Sequence, residues 1–233
     1  LGVGNAQVDA IQYLKSRGWY VIGCSYKEEG PGLDLVDQFS LTNIIDRESV
    51  ESLAKKENVR FLYSVGTDIA MPVIAEVSRN LGLPSFFSVR TTNRLRNKCY
   101  LRESLAKFSI SPVTFRRINE FADIREWNTY PAILKPVDNQ GSRGVFFIED
   151  TDDIYHHFEE AIHYSRSKTA IIEEYLDGPE TEAIVIVKNR TIIFSIIGDR
   201  LTNPGYQIGL PQGHRIPSQY ANQEEQAIMN ELI

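Results

Sequence analysis

The chain has 233 residues, of which 42% are hydrophobic and 24% charged, and its formal net charge is −6. This length suffices for one large domain or two smaller ones with real cores. The acidic balance argues against general nucleic-acid binding, which depends on a basic surface, and no apolar run approaches the ~20 residues of a membrane span. The two cysteines, Cys24 and Cys99, form no metal-type pair, and we expect reduced thiols in a cytoplasmic protein.

The first 90 residues alternate between predicted strands and helices. Apolar runs at 19–24 and 61–65 have the composition of buried parallel strands. Apolar periodicity predicts helices at 6–17, 49–56 and 70–81. This alternation predicts an α/β unit in which helices cover a parallel sheet.

Two early glycines, Gly2 and Gly4, would suit a dinucleotide-binding turn between a strand and a helix. That pattern needs a third glycine where the helix packs on the strand, and this position is Gln7. It also needs an acidic residue after the second strand, which ends instead in Cys24-Ser25-Tyr26. We therefore interpret the glycines as a turn in a Rossmann-like scaffold and disfavour a Rossmann oxidoreductase.

The pattern changes after about residue 90. A basic helix at 97–107 is followed mainly by strands, with one further helix at 151–165. The predicted strands, the last two of which are joined by a turn at Asn189-Arg190, lie at 132–136, 145–148, 170–175, 182–187 and 191–197. Mixed strands with an inserted helix predict an α+β unit that is distinct from the first.

A lysine and a glycine-containing loop carry the strongest chemical signal. Lys135 ends an apolar strand and precedes Asp138-Asn139-Gln140-Gly141-Ser142-Arg143-Gly144-Val145. Glycines let the backbone approach a phosphate chain, while Ser142 adds a hydroxyl donor and Arg143 a forked cation. These groups could cover the β- and γ-phosphates of a nucleotide. Taken alone, the motif fits a surface hairpin with a solvated lysine and arginine equally well.

Two further patterns favour a nucleotide site. Lys98 and Arg102 lie at spacing four, on one face of the predicted basic helix. Glu173-Glu174 ends a strand in an acidic turn, where a carboxylate could accept from the amine of a purine and main-chain groups could pair with the base edge. A second carboxylate, Glu180, could bind ribose hydroxyls. The alternative for this turn is a solvated strand end.

The order of these motifs resembles the ATP-grasp superfamily: Asn97-Lys98-x3-Arg102, then Pro-x-Ile-Leu-Lys135-Pro-x4-Gly-Ser-Arg-Gly-Val, then Glu173-Glu174-Tyr-Leu-x-Gly-x-Glu180. The first unit is similar to the pre-ATP-grasp domain, with Val65-Gly66-Thr67-Asp68 at a strand end and Gly82-Leu83-Pro84 before the next strand. The resemblance implies a Rossmann-like pre-ATP-grasp domain at 1–90 and an ATP-grasp domain at 91–233. Within the latter it implies a lid subdomain at about 113–178 and an incomplete final subdomain.

The resemblance also implies roles for individual residues. Lys98 and Lys135 would contact the ATP phosphates, and Lys135 and Arg143 are the expected catalytic residues. Glu173 would face the adenine amine, and Glu180 would bind ribose. The other expected ATP-contacting residues lie in the loop and the acidic turn: Gly141, Ser142, Gly144, Val145, Glu174, Tyr175 and Leu176.

Members of this superfamily hold one or two Mg²⁺ ions with an acidic residue and a later Glu-x-Asn pattern, which we expect beyond Ile233. The chain begins with Leu1 in an apparent strand and ends in a predicted helix at 223–233. We therefore expect an amino-terminal fragment whose activity depends on further residues. Asp68 could face the acceptor substrate. His214 follows a glycine in a predicted loop, where it could also contact the substrate.

The implied activity is ATP-dependent ligation of a carboxylate to an amine, or to a thiol, through an acyl phosphate. The expected cofactors are ATP and Mg²⁺, and the expected substrate is an amino acid or another small carboxylate. A carbamoyl-phosphate-synthetase-like protein, a purine-pathway or biotin-carboxylase-type enzyme and a non-catalytic ATP-binding module stay open as alternatives. We expect neither a nucleic-acid nor a membrane partner, and a homodimer stays open.

Overall fold

A computed structural model describes residues 1–111, 113–202 and 211–221. The chain divides into two compact units, Leu1–Arg96 and Asn97–Ile233. The predicted boundary near residue 90 falls inside a helix that ends the first unit. Within the described ranges, no helix is both long and apolar enough to cross a membrane.

The first unit is an α/β unit with one parallel pair of strands. Its helices and strands are α1 (Val8–Ser16), β1 (Ile22–Ser25), β2 (Gln38–Leu41), α2 (Arg47–Lys56), α3 (Met71–Leu81) and α4 (Val89–Arg96). The side chain of Asp46 caps α2 by accepting from the backbone N–H groups of Glu48 and Ser49, at 3.1 and 3.3 Å. A buried apolar cluster joins β1 to α2 and α3, and the helices predicted in this unit are confirmed to within a few residues.

The strand predicted at 61–65 was wrong, because these residues form no ladder in the structure. Single hydrogen bonds hold the segment instead. The Leu1 nitrogen donates to the Tyr63 carbonyl at 2.6 Å, and the Ser64 hydroxyl donates to the Leu1 carbonyl at 2.6 Å. The apolar composition indicated burial, as Leu62 confirms at 9% exposure, but burial does not require pairing with another strand.

The second unit begins with a four-stranded antiparallel sheet of order β3-β6-β4-β5. Its elements are α5 (Lys98–Lys107), β3 (Phe115–Ile118), α6 (Phe121–Ile124), β4 (Ala132–Pro136), β5 (Phe146–Ile148), α7 (Thr151–His163) and β6 (Ala170–Glu174). β6 therefore lies between β3 and β4. β6 and β4 are therefore the two inner strands of this sheet, each with a neighbour on both sides.

Helices cover both faces of this sheet. On one face, Leu134 and Ile172 are fully buried in a core that α6 and α7 complete. On the other face, α5 packs through Cys99 against Ile171. Because side chains alternate along a strand, the neighbours Lys135 and Glu173 lie on the α5 face.

A second antiparallel sheet contains β7 (Glu180–Lys188), β8 (Thr191–Thr202) and β9 (Pro211–Arg215) in that order. The predicted turn between β7 and β8 is confirmed, with φ values of 51° at Asn189 and 65° at Arg190, as a two-residue hairpin turn requires. β9 was not predicted, since Pro211–Arg215 has little apolar periodicity. The helix predicted at 223–233 lies outside the described residues.

The four-stranded core yields a matched pair of substitutions. Ile172 is fully buried, whereas Ile193 is 60% exposed. We expect Ile172→Ala to lower the free energy of unfolding by about 2–5 kcal/mol through lost burial and a residual cavity. Ile193→Ala should cost below about 1 kcal/mol. Urea unfolding followed by tryptophan fluorescence measures both, and equal losses would contradict the placement of this core.

Candidate functional site

The start of α5 places two cations over the sheet. Asn97 caps this helix, since its side chain accepts from the backbone N–H groups of Cys99 and Tyr100 at 3.0 and 3.2 Å. Lys98 is thus the first helical residue, and its own backbone N–H donates to the Val137 carbonyl at 2.9 Å. Arg102 follows one turn later on the same side of the helix. The Asn97 cap and the Val137 bond therefore fix both cations next to the end of β4.

Glu173 lies at the centre of these cations. Its Oε2 accepts from Lys135 Nζ at 2.6 Å, and its two oxygens accept from Nε and Nη2 of Arg102, each at 3.1 Å. Only 7% of the Glu173 side chain is exposed. In the sheet register Glu173 pairs with Ile133, so Lys135 is its diagonal neighbour on β4. We call Lys98, Arg102 and Lys135, together with Glu173, the cationic cluster.

The charges in the cationic cluster influence one another. Burial opposes ionisation of Glu173, but the Arg102 hydrogen bonds and the Lys135 charge outweigh it and hold the pKa of this carboxyl below its usual range. Burial, together with the charge of Lys135, lowers the pKa of Lys98. Three cations thus surround one carboxylate in partly desolvated surroundings, which favours the binding of an anion.

The loop between β4 and β5 is tied to this cluster. Lys98 Nζ donates to the Asn139 carbonyl at 2.8 Å, and Asn139 Nδ2 donates to the Arg143 carbonyl at 3.3 Å. Gly141 and Gly144 have φ values of +69° and +74°, which glycine adopts without strain. Arg143 itself is exposed, while Ser142 and Val145 are partly buried. The predicted phosphate loop is therefore a turn, and Lys98 of the cationic cluster holds it through a hydrogen bond to the uncharged Asn139 carbonyl.

The acidic turn after β6 is held by main-chain bonds. Glu174 exchanges two bonds with Thr114: its N–H donates to the Thr114 carbonyl, and its Oε1 accepts from the Thr114 N–H, each at 3.0 Å. The Tyr175 N–H donates to the Pro131 carbonyl at 2.9 Å. Leu176 is 64% exposed. The N–H groups of Glu174 and Tyr175 therefore already have partners in the residues that precede β3 and β4. A base could form hydrogen bonds only with other main-chain groups of this turn.

Glu180 lies on the second sheet, with a partner of its own. Arg200 Nη1 donates to Glu180 Oε2 at 2.6 Å, and the two residues are directly opposite in the register of β7 and β8. His214 of β9 is paired with Glu182 and lies opposite Arg200. The second sheet therefore carries its own row of paired polar side chains.

The structure brings together four residues that the sequence marked separately: Lys98, Arg102, Lys135 and Glu173. The motif order had included Arg102, and its spacing of four from Lys98 was the available signal, but its bond to Glu173 was not predicted. Arg200 gave no signal in the sequence. Asp68 belongs to the first unit, where it begins a short 3-10 helix.

No cluster of three or more potential metal ligands (His, Cys, Asp or Glu) occurs in the part of the chain that the structure describes. A cavity of about 560 Å³ lies in the first unit, where mainly apolar residues of α1, β1, α2 and the 59–65 segment line it. It contains none of the predicted nucleotide-contacting residues. The charged residues predicted to bind nucleotide therefore lie in the cationic cluster and not in this cavity.

Comparison with known proteins shows similarity in sequence to a protein family and to curated proteins. Residues 107–208 match the family model described as D-ala D-ala ligase C-terminus. The chain is 24% identical over 218 residues to a formate-dependent phosphoribosylglycinamide formyltransferase of Prochlorococcus marinus (strain NATL1A), covering 89% of this chain and 55% of that protein. The chain thus spans little more than half the length of this relative.

Solved structures give the same result at lower identity. An L-amino acid ligase from Bacillus licheniformis is 19% identical with a TM-score of 0.75, over 98% of this chain and 56% of that one. The biotin carboxylase domain of a Hydrogenobacter thermophilus 2-oxoglutarate carboxylase, described as a dimer with MgADP, ADP and bicarbonate, is 14% identical with a TM-score of 0.80, over 99% and 55%. These likenesses concern the fold, and they confirm the predicted fold class.

Two glycines of the loop allow a matched test of its geometry. A Cβ at Gly144 would lie 2.8 Å from Tyr164 Cδ2, whereas a Cβ at Gly141 would meet nothing within 4 Å. Both alanines must adopt a positive φ, which costs about 1–2 kcal/mol. Gly144→Ala adds a steric clash of about 1–3 kcal/mol, so urea unfolding should show the larger loss there. Equal losses would show that Tyr164 moves aside without cost.

Proposed function

We propose that this chain, which belongs to the ATP-grasp superfamily, binds ATP at the cationic cluster as part of an ATP-dependent ligase that joins a carboxylate to an amine. The observation that carries the proposal is that Arg102 and Lys135 contact Glu173 while a third cation, Lys98, donates to the adjoining glycine-containing loop. The whole chain has a net charge of −6. A partly desolvated excess of positive charge in an acidic protein is an unusual arrangement unless an anion neutralises it.

The phosphate chain is assigned to the lysines and the loop. Lys98 now donates to a neutral carbonyl, and Lys135 to a carboxylate that already has a second cation. Both ammonium groups can therefore turn to phosphate oxygens without leaving a charged partner unpaired. Arg143 is exposed at the tip of the loop, where its guanidinium can reach the γ-phosphate when the loop closes. The backbone N–H groups of 141–145 complete the assignment.

The nucleoside is assigned to the two acidic positions. Glu173 is ionised and can accept from the adenine amine. Main-chain groups of the turn Glu174-Tyr175-Leu176 would contact the base edge, except the N–H groups of Glu174 and Tyr175, which already donate to Thr114 and Pro131. Glu180 would bind the ribose hydroxyls in exchange for, or beside, its partner Arg200.

The proposed chemistry follows from the poor reactivity of a carboxylate. Transfer of the γ-phosphoryl group from ATP to the carboxylate forms an acyl phosphate and ADP. The amine then attacks the acyl carbon, the C–O bond to phosphate breaks, and an amide and inorganic phosphate are released. Lys135 and Arg143 would stabilise the negative charge on the transferred group, while the closed loop would exclude water from the acyl phosphate.

A Mg²⁺ ion bound with ATP would neutralise further phosphate charge. The described residues do not supply a ligand cluster for it, so every step above is assigned to side chains of this chain alone. We also propose a cytoplasmic location. A homodimer is a further proposal, supported by the biotin carboxylase domain of the 2-oxoglutarate carboxylase, which is described as a dimer.

The substrate class is an amino acid or another small carboxylate. The names of the relatives include an L-amino acid ligase and a formate-dependent transferase, both consistent with a small acid. The biotin-carboxylase alternative shares the fold equally well. The fold therefore does not separate these substrates, and ATP binding is the first property to test.

The first test is calorimetric titration of the chain with ATP and Mg²⁺, beside Lys135→Ala. We expect saturable binding that weakens about tenfold or more in this variant, because a lysine that contacts phosphate contributes at least ~1.4 kcal/mol. Lys188→Ala is the matched control, since Lys188 is exposed at the end of β7. Absence of ATP binding, or equal affinities for all three proteins, would contradict the proposed nucleotide site.

The lowered pKa of Lys98 predicts how ATP binding depends on pH. As the pH rises through this pKa, Lys98 loses its charge, so ATP affinity should fall at a lower pH than the ~10.4 of an ordinary lysine. Lys98→Arg stays charged at every accessible pH and should keep its affinity over the same range. Titrations between about pH 7 and about pH 10 measure this, and parallel curves would show that another group causes the decline.

A further inference from the structure

Arg102 makes two hydrogen bonds to Glu173, although Glu173 could accept a hydrogen bond from a base without them. Arg102 uses Nε and Nη2 on the two carboxylate oxygens, each at 3.1 Å, and Nη1 on the Ser111 hydroxyl at 3.0 Å. All three nitrogens of the guanidinium are thus engaged with the protein. Such a forked contact holds both groups in one plane and in one rotamer.

The hydrogen bonds leave Glu173 with little remaining capacity. A carboxylate has about four acceptor positions. Among the described residues, Lys135 and Arg102 together occupy both positions on Oε2 and one on Oε1. One acceptor position therefore remains, on the Oε1 atom, and a second opens on Oε2 when Lys135 turns to phosphate. Arg102 determines the direction of both.

We propose that Arg102 is a positioning residue that makes Glu173 select adenine over guanine. This inference rests on the proposed function, because it assumes that a purine nucleotide binds beside Glu173. Adenine carries an exocyclic amine, which donates to the remaining acceptor position of Glu173. Guanine carries a carbonyl at the same place, and two acceptors would then face each other with no hydrogen bond between them.

Arg102 is needed for this selectivity because Lys135 cannot hold Glu173 alone. A single ammonium contact leaves the carboxylate free to rotate, and Lys135 is the residue that turns toward phosphate in the proposed complex. With Arg102 in place, Glu173 stays ionised and oriented after Lys135 leaves. Without Arg102, the carboxylate could rotate away from guanine or take up a proton and donate to its carbonyl.

The test compares the Kd values for ATP and GTP by calorimetry for the parent chain and for Arg102→Gln. We expect the ratio of GTP to ATP Kd to fall by about tenfold or more, mainly through weaker ATP binding. Arg102→Lys keeps the charge but not the forked contact, so its ratio should also fall while its melting temperature stays closer to that of the parent. Arg117→Gln is the control, since Arg117 of β3 pairs with Glu103 of α5 and its loss should leave the ratio unchanged.

Glu173→Gln completes a double-mutant cycle. An amide can present an N–H group to guanine, so this change should lower the ratio by itself, and adding Arg102→Gln should change the ratio no further. Additive effects on the ratio would show that Arg102 does not act through Glu173. Parallel losses of ATP and GTP affinity in Arg102→Gln would show that Arg102 serves the phosphates or the fold, and would overturn the inference.

These outcomes separate the inference from the proposed function. If the parent chain binds neither ATP nor GTP, the proposed nucleotide site itself is wrong. If it binds ATP and Lys135→Ala weakens that binding, the site stands, and only the ratio in the Arg102 variants decides the role of Arg102.

Discussion

The ion pair that Glu173 forms with Arg102 and Lys135 connects helix, sheet and site. It joins residues 71 and 38 positions apart in sequence, and it holds α5 on the face of the sheet opposite the main core. Removing one partner from a buried pair typically costs 3–5 kcal/mol, roughly, because a charge is left without compensation. A well-packed apolar replacement is often as stable or more stable. The retention of three charged groups here is therefore better explained by binding than by stability.

The same interaction balances the charges of the cationic cluster. Each cation has a hydrogen-bond partner, which offsets the repulsion among the three. The partners differ in strength, however, because Lys98 bonds to a carbonyl while Arg102 bonds to both oxygens of a carboxylate. A phosphate would displace the weaker bonds first. Each lysine donates a single bond, whereas the arginine donates two to the same carboxylate and is the more firmly held.

How far the sequence predicts this molecule depends on the range of the interaction concerned. Helices with regular apolar spacing, such as Met71–Leu81, and the turn at Asn189-Arg190 were predictable because local geometry determines them. The segment at 61–65 was not, because pairing depends on a distant neighbour. The order of motifs predicted Lys98, Lys135 and Glu173 as ATP-contacting residues, and the structure places Lys135 against Glu173.

The bond between Arg102 and Glu173 was not predictable in the same way. It requires α5 to lie over β6, and this packing depends on tertiary contacts such as that of Cys99 with Ile171, which no local pattern reveals. Arg200, which pairs with Glu180, is hidden for a similar reason: it stands in the middle of a long strand, and only the register of β7 and β8 brings the two together. Residues that act through cross-strand or helix–sheet contacts carry no local signature.

The two acidic positions differ in a way that suits the two parts of a nucleoside. Glu173 is nearly buried and accepts from two cations, so its remaining acceptor has one direction. Glu180 has 38% of its side chain exposed and pairs with Arg200, so it can turn. A planar base presents its amine in a single direction and needs a fixed acceptor, whereas ribose hydroxyls rotate and tolerate a mobile one. A rigid carboxylate for the base and an adjustable one for the sugar is the division of roles that this arrangement favours.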